Sequence, residues 1–585
     1  MSHHRTTAAI AALAALIGGL WAGLAGGTAE AAPAFREGAC PVEITNPVLK
    51  GRVRCGTVAV ERRPGDATSG TFDIAVLIVA PERRDPAATP TFFFHGGPGF
   101  PVVQWLGGSR GLPFQRGGDT VYFDQRGGGF SGPKVCRDVS MRQLRAMADA
   151  ADFPATARAF DQGFLDCLGE LKAAGLSPDL FGTAASSADA EALRQALGYE
   201  RINLYGGSYG TTLGMDYAAR HPERVRALVI DSVYPPDDLV QPIERSLDGS
   251  LERLYALCAA DAACEAAHPD LKGEYEAAVR ALDAEPLSVP APALGGVARL
   301  SGDEFELLIH QVLYDRNLYA IVPGLIRSAR EGRGAPFGPV LNELVAQYGS
   351  ASALGFAGVE CRDRARFHQG ARPVTRGPQM IELDRVCPRW SAPGEAPRVP
   401  QNPPFPVLVM AGEVDPITPP AYAREIARRI GGTTQVLIAP GVGHGVRGER
   451  CGREAVSDFL ARPGAPLVTC LGRPEPIAFV TRHARMQGLS SVLGAAQTGD
   501  WLKPALVAVP ALIALLFGLL WPLGESLWKR RASPLTRGAR GVAALGALSL
   551  AGFVGLTAWG VSSALASNAG VLAFGLPAAF GIVPY

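Results

Sequence analysis

Ile202-Asn203-Leu204-Tyr205-Gly206-Gly207-Ser208-Tyr209-Gly210-Thr211 is the stretch that decides the fold. Its first four residues form a short β-favouring run, and the spacing from Thr211 to Ala219 is helical, so Ser208 stands on a strand-to-helix turn. A G-x-S-x-G at such a turn projects the hydroxyl out of the sheet, while its glycines let strand and helix pack closely. The same pattern recurs at Gly107-Gly108-Ser109-Arg110-Gly111, but no strand precedes it and Pro113 follows at once. With 70 glycines in 585 residues a chance copy is expected, so context decides, and Ser109 reads as a loop residue.

On either side of this turn the chain alternates strand and helix. Phe72 to Val79, Thr91 to Phe94, Thr120 to Phe123, Ile202 to Tyr205, Ala227 to Ile230, Pro406 to Met410 and Thr434 to Ile438 read as strands, and Ala188 to Leu197 and Thr211 to Ala219 as helices. Such alternation predicts a mostly parallel sheet covered on both faces, with ligands gathering at the carboxyl ends of the strands. Residues 237–402 break the rhythm with a mainly helical pattern, interrupted by Pro/Gly-rich breaks near 285–296 and 331–340. They read as an insertion over the active edge, dividing the core into 40–236 and 403–485.

A serine hydroxyl needs a base, and the base an orienting acid. On this kind of turn the chain order is Ser, then Asp or Glu, then His. Asp415 falls just past the strand ending near Met410, and His444 falls in the glycine-flanked loop after the next strand, so these two are the predicted acid and base. Glu413 and Asp231 are the rival acids. A tetrahedral intermediate also needs backbone donors. The N–H of Tyr209, next to the nucleophile, is one; the other is assigned to Gly97 in Phe94-His95-Gly96-Gly97-Pro98-Gly99, where bare glycines let the backbone approach the substrate oxygen. No C-x-x-C or H-E-x-x-H occurs, and no metal or cofactor is expected.

These residues resemble a family, the α/β-hydrolase serine peptidases of the proline iminopeptidase and tripeptidyl aminopeptidase group. The resemblance is carried by His95-Gly96-Gly97-Pro98-Gly99, Asp124-Gln125-Arg126-Gly127-Gly128-Gly129-Phe130-Ser131, Gly206-Gly207-Ser208-Tyr209-Gly210-Thr211 and the Asp415 and His444 loops, over about residues 40–470. It implies an α/β-hydrolase fold with an inserted helical cap, and hydrolysis of a short peptide or small amide from its N-terminus through an acyl-enzyme on Ser208. An aminopeptidase also needs carboxylates for the substrate ammonium. Glu360 and Asp363, in Gly358-Val359-Glu360-Cys361-Arg362-Asp363, lie where the secreted tripeptidyl members carry such anchors. The chain departs from the cytosolic iminopeptidases in lacking their E-N-H-Y pattern, which weakens any inference of proline specificity. An esterase or amidase acting on non-peptide substrates is the alternative, and a hydrolase fold used only for binding the more distant one.

The chain ends carry a different message. Arg5, the uncharged run Ala8 to Ala25 and Ala29-Glu30-Ala31 predict a signal peptide over 1–31. Residues 502–524 and 541–565 are apolar and long enough to span a bilayer, and a loop holding Lys529, Arg530, Arg531, Arg537 and Arg540 separates them. Basic loops stay cytoplasmic, so the catalytic part is expected outside the membrane, tethered by C-terminal transmembrane helices; residues 569–585 form a third, shorter apolar segment. The departure from the family is this tail, which the resemblance does not explain. Ten cysteines, all between the signal peptide and the first span, predict disulfides in an exported chain, with sequential neighbours the simplest of several possible pairings. The balance of 56 Lys+Arg against 55 Asp+Glu gives no footprint for nucleic acid. The mean hydropathy of +0.12 averages an ordinary soluble hydrolase with these apolar ends.

Overall fold

A computed structural model describes residues 33–106, 117–149, 152–237, 243–368, 383–390, 392–467 and 477–480. The expected signal peptide, Ser109 and the apolar segments beyond residue 500 lie outside these residues. Among the described residues no helix is long and apolar enough to cross a membrane.

The central sheet has nine strands in the order β1-β2-β3-β5-β4-β6-β7-β10-β11. β1 (Phe35–Gly38), β2 (Val53–Arg63) and β3 (Asp66–Val79) pair antiparallel with one another, and β3 pairs antiparallel with β5 (Thr120–Phe123). β5, β4 (Thr91–Phe94), β6 (Ile202–Gly207), β7 (Val225–Asp231), β10 (Val407–Gly412) and β11 (Thr434–Ala439) run parallel. The parallel strands β4, β6 and β10 are buried along their whole length and are therefore mostly apolar, with Thr91 and Asn203 the exceptions: helices cover both faces. β3 begins six residues before the predicted Phe72, because Pro64-Gly65, with Gly65 at φ +82°, turns β2 back on it as a long hairpin. The Thr183–Ala196 helix likewise starts before its predicted Ala188, and the Tyr209–Arg220 helix follows Ser208 directly.

Register aligns the strand ends that matter. Gly207 of β6 lies opposite Asp231 of β7, and Met410 of β10 opposite the same residue, so the loops after β6, β7, β10 and β11 emerge along one edge of the sheet. Between β7 and β10 the chain forms the helices Ile243–Ala260, Leu271–Ala284, Gly302–Val312, Val322–Arg330, Phe337–Tyr348 and Ala353–Val359. The apolar faces of the first five meet in a separate core that includes Leu254, Phe305, Leu325 and Phe337, whereas Ala353–Val359 packs into the main core through Leu354 and Ala357. The Gly302–Val312 helix starts in a capping box formed by Ser301 and Glu304.

One expected break within this insertion is ordered structure. Leu287–Ala291 and Gly296–Leu300 pair as an antiparallel hairpin, β8 and β9. Leu287, Val289 and Ala291 point inward and alternate with exposed Ser288 and Pro290, a period-2 pattern that the prolines conceal. Residues 477–480 return to the insertion: Val480 donates its N–H to the Ala320 carbonyl at 2.9 Å, and Phe479 and Val480 are buried in the insertion's core. Four disulfides join sequential neighbours, Cys40–Cys55, Cys136–Cys167, Cys258–Cys264 and Cys361–Cys387. Cys451 is also disulfide-bonded, while Cys470 lies outside the described residues.

Candidate active site

Ser208 sits at the end of β6 with φ 54° and ψ −127°, a conformation that L-residues adopt only when their surroundings enforce it. The surroundings are the two outer glycines of its motif. A Cβ on Gly206 would stand 2.2 Å from the Gly210 carbonyl oxygen, and one on Gly210 would stand 2.0 Å from the Phe94 carbonyl oxygen. Gly207, by contrast, has nothing nearer than 3.6 Å to such an atom, which explains physically why the motif leaves that position free. The Ser208 N–H donates to the Asp231 carbonyl at 3.0 Å, and the side chain remains half-buried at the site's floor.

The loop after β4 lies against this serine. A Cβ on Gly96 would come within 2.7 Å of the Ser208 Cβ and 3.2 Å of its Oγ, so only glycine allows the approach. Gly97 follows at φ +111°, where an added Cβ would meet the Phe100 ring at 2.1 Å. Tyr209 is the first residue of the Tyr209–Arg220 helix, whose N-terminal N–H groups favour negative charge. The Asp124–Ser131 motif is the scaffold beneath this loop. Asp124 accepts the N–H groups of Val103 at 3.0 Å and Phe130 at 2.8 Å, and Gln125 donates to the His95 carbonyl at 3.0 Å. Burial pushes the Asp124 carboxyl up to about 6 against those bonds. Arg126 is buried against Asp189, its Nε 2.8 Å from the carboxylate.

Asp415 and His444 meet on the adjoining strand ends. His444 Nδ1 lies 2.8 Å from Asp415 Oδ2, and Asp415 also accepts the N–H groups of Ile417 at 3.0 Å and Thr418 at 2.8 Å. The Thr418 hydroxyl donates to the same Oδ2 at 2.7 Å and stands 3.1 Å from Nδ1. Burial pushes the Asp415 carboxyl up, but His444 and the Thr418 donors outweigh it and hold the group below its ordinary value. Sequence reasoning missed Thr418; its spacing of three from Asp415, ahead of the Pro420–Ile430 helix, is the signature of an Asp side chain closing a turn.

The two rival acids have other partners. Asp231 accepts the N–H groups of Val446 at 2.9 Å and Arg447 at 2.8 Å, and the Tyr205 hydroxyl at 2.8 Å. Glu413 accepts the Gly441 N–H at 2.9 Å and pairs with Arg253. Both therefore brace the loop that carries His444, one on each side of it. The insertion braces it as well: the Tyr314 carbonyl accepts the His444 N–H at 2.8 Å, and the Tyr314 ring packs edge-on against the imidazole at 5.0 Å.

Glu360 and Asp363 are buried in a single π-helical turn, Glu360–Arg364. Glu360 Oε2 lies 3.3 Å from Arg364 Nε, and the Tyr234 hydroxyl stands 3.4 Å from Oε1. Asp363 accepts the Thr183 N–H at 2.9 Å, and the Thr183 hydroxyl stands 2.9 Å from that of Tyr209. Burial, with Asp216 and Glu360 nearby, pushes the Asp363 carboxyl up to about 7.

Comparison with known proteins agrees with this fold. Residues 90–268 match the family model described as alpha/beta hydrolase fold, and residues 372–470 the one described as TAP-like protein. The tripeptidyl aminopeptidase of Streptomyces lividans is 27% identical over 398 residues, covering 61% of this chain and 71% of that protein. The serine protease Hip1 of Mycobacterium tuberculosis is 26% identical over 475 residues, covering 72% of this chain and 88% of that protein. The proline iminopeptidase of Neisseria gonorrhoeae is 28% identical over 177 residues, 30% of this chain and 42% of that protein. The chain has the α/β-hydrolase fold and is a serine hydrolase similar to the tripeptidyl aminopeptidases and proline iminopeptidases.

Proposed function

We propose that this enzyme is an exported, membrane-anchored aminopeptidase that releases short fragments from the N-terminus of peptides through an acyl-enzyme on Ser208. His444 takes the hydroxyl proton as Oγ attacks the scissile carbonyl, then returns it to the leaving amine; water repeats the sequence to free the acyl group. Asp415 holds the imidazole by Nδ1 and stabilises the imidazolium. The N–H groups of Gly97 and Tyr209 receive the oxyanion. The observation that carries the reading is the 2.8 Å Asp415–His444 contact, tied to the strained Ser208 turn through Asp231, whose carbonyl accepts the Ser208 N–H and whose carboxylate accepts those of Val446 and Arg447.

Glu360 and Asp363 are the proposed anchors of the substrate ammonium. Glu360 lies against Arg364, while burial pushes the Asp363 carboxyl up to about 7, so a cation arriving there would favour its ionised form. Thr183 links Asp363 to Tyr209, which puts that charge close behind the nucleophile turn. Export and anchoring are supported by the A-x-A site at Ala29-Glu30-Ala31 and by the two apolar runs around the basic loop, and they put the catalytic part on the extracytoplasmic side of the cell membrane.

The test is a panel of peptide 4-nitroanilides of one to four residues with free and acetylated N-termini. An aminopeptidase loses kcat/KM by orders of magnitude on acetylation. Equal rates on both, or faster turnover of simple nitrophenyl esters, would favour the esterase or amidase reading.

A further inference from the structure

Three hydrogen-bonded side chains of the insertion run in a line from Phe100, in the loop that lies against Ser208, to Pro416, in the loop that carries Asp415. Tyr348 ends the Phe337–Tyr348 helix; its ring packs edge-on against Phe100 at 5.3 Å, and its hydroxyl donates to Gln311 Oε1. Gln311 Nε2 lies 3.3 Å from His310 Nδ1, and His310 Nε2 lies 3.3 Å from the Pro416 carbonyl oxygen. A carbonyl only accepts, so the His310 proton is on Nε2; Nδ1 then accepts from the Gln311 amide, whose oxygen is left to accept from Tyr348. The three bonds all run in one direction, from the Tyr348 hydroxyl to the Pro416 carbonyl. The line requires a neutral imidazole, and burial pushes His310 down to about 4.

The two ends of this line are functional loops. Phe100 closes the loop that begins at His95 and is the residue a side chain on Gly97 would strike, while Pro416 adjoins Asp415. The His310 ring also packs on Tyr314 at 5.4 Å, and Tyr314 packs on His444. We propose that His310, Gln311 and Tyr348 are positioning residues that couple the oxyanion loop at Phe100 to the acid loop at Pro416, so that the insertion sets the alignment of the site it covers. The coupling rests on the reading of Ser208, Asp415 and His444 given above.

The test uses the full chain and two probes: a fluorophosphonate, which reports Ser208 reactivity without peptide recognition, and a free-amino tripeptide 4-nitroanilide. Gln311→Leu and His310→Leu are each expected to slow fluorophosphonate modification and kcat on the order of tenfold, with KM within about twofold. His310→Gln retains an N–H donor near the Nε2 position and recovers most of the rate. Tyr348→Phe costs a few-fold alone and nothing further once Gln311 is Leu. Where Gln311→Leu fails to fold, the loss of rate in Tyr348→Phe, which removes a single hydroxyl, decides alone. Additive losses, a His310→Gln enzyme as slow as His310→Leu, or a rise in KM at unchanged fluorophosphonate rate would overturn the coupling; the last would make these residues substrate contacts. A wild-type enzyme inert to the fluorophosphonate would overturn the Ser208 reading itself.

Discussion

The carbonyl oxygen of Tyr314, in the insertion, accepts the backbone N–H of His444, in the core, at 2.8 Å. The residue before His444 is a glycine for the same reason: a Cβ on Gly443 would stand 2.4 Å from that oxygen. Gly443→Ala therefore forces the histidine loop and the insertion apart. Its expected effect is a loss of kcat of at least tenfold while the core stays folded, read as slow fluorophosphonate modification beside an unchanged far-UV circular dichroism spectrum. Wild-type reactivity in this variant would mean the Tyr314 contact is incidental.

The nucleophile turn predicts an asymmetry between neighbouring glycines. Gly210→Ala sets a methyl 2.0 Å from the backbone oxygen of Phe94, a clash with main chain that no rotamer relieves. It should cost about 3 kcal/mol or more, the upper end of overpacking penalties, or prevent folding. Gly207→Ala meets nothing nearer than 3.6 Å and should shift the urea midpoint little. Equal losses in the two variants would show that backbone packing does not govern the motif.

Asp363 gives the stability of the enzyme a pH dependence with a defined sign. Its folded carboxyl titrates at about 7 against 3.8 in the ordinary state, so between those values the native chain holds a proton that the unfolded chain has released. Stability from this group is full below about pH 4 and declines as pH rises through 7. At about 1.4 kcal/mol per unit of displacement, Asp363→Asn should gain stability relative to wild type on going from pH 4 to pH 8, by several kcal/mol at most. Urea midpoints at the two pH values measure it. If Asp363 also holds the substrate ammonium, the same variant loses activity on free-amino peptides, so stability and function move in opposite directions.

Residues 477–480 predict where the chain can be cut. Phe479 and Val480 belong to the insertion's core, which also includes Val414, the neighbour of Asp415. A chain ending after Arg485 keeps this strap and should be a soluble, active enzyme. A chain ending at residue 476 loses it, and Phe479→Ala in the longer form should cost about 3 to 5 kcal/mol. Thermal denaturation of the two truncations compares them directly; equal melting temperatures would show that the strap contributes nothing.

Where function is local in sequence, the fold and site could be read from the chain. Ser208 announces itself because a strand, a tight glycine turn and a helix must succeed one another within ten residues. Asp415 stands just past β10, a fully buried apolar run, and His444 in the glycine-flanked loop just past β11, a half-buried edge strand. The features that stayed hidden depend on contacts across the chain. Nothing around Tyr314, Gln311 or Tyr348 marks them, because their roles come from facing loops about 100 residues or more before or after them. The β8–β9 hairpin was masked by Pro290 and Pro292, which resemble loop punctuation although the outward-facing side of a short hairpin tolerates them. Glu360 and Asp363 were found through resemblance; that Arg364 and Thr183 already engage them is visible only in three dimensions.

The central claim is that Ser208 forms the acyl-enzyme. Its most direct test is peptide mass mapping of the intact enzyme after brief exposure to a fluorophosphonate, run beside Ser208→Ala. The adduct is expected on the peptide holding Ser208 and absent from the variant; a fluorophosphonate adduct on another serine that persists in Ser208→Ala would contradict the account.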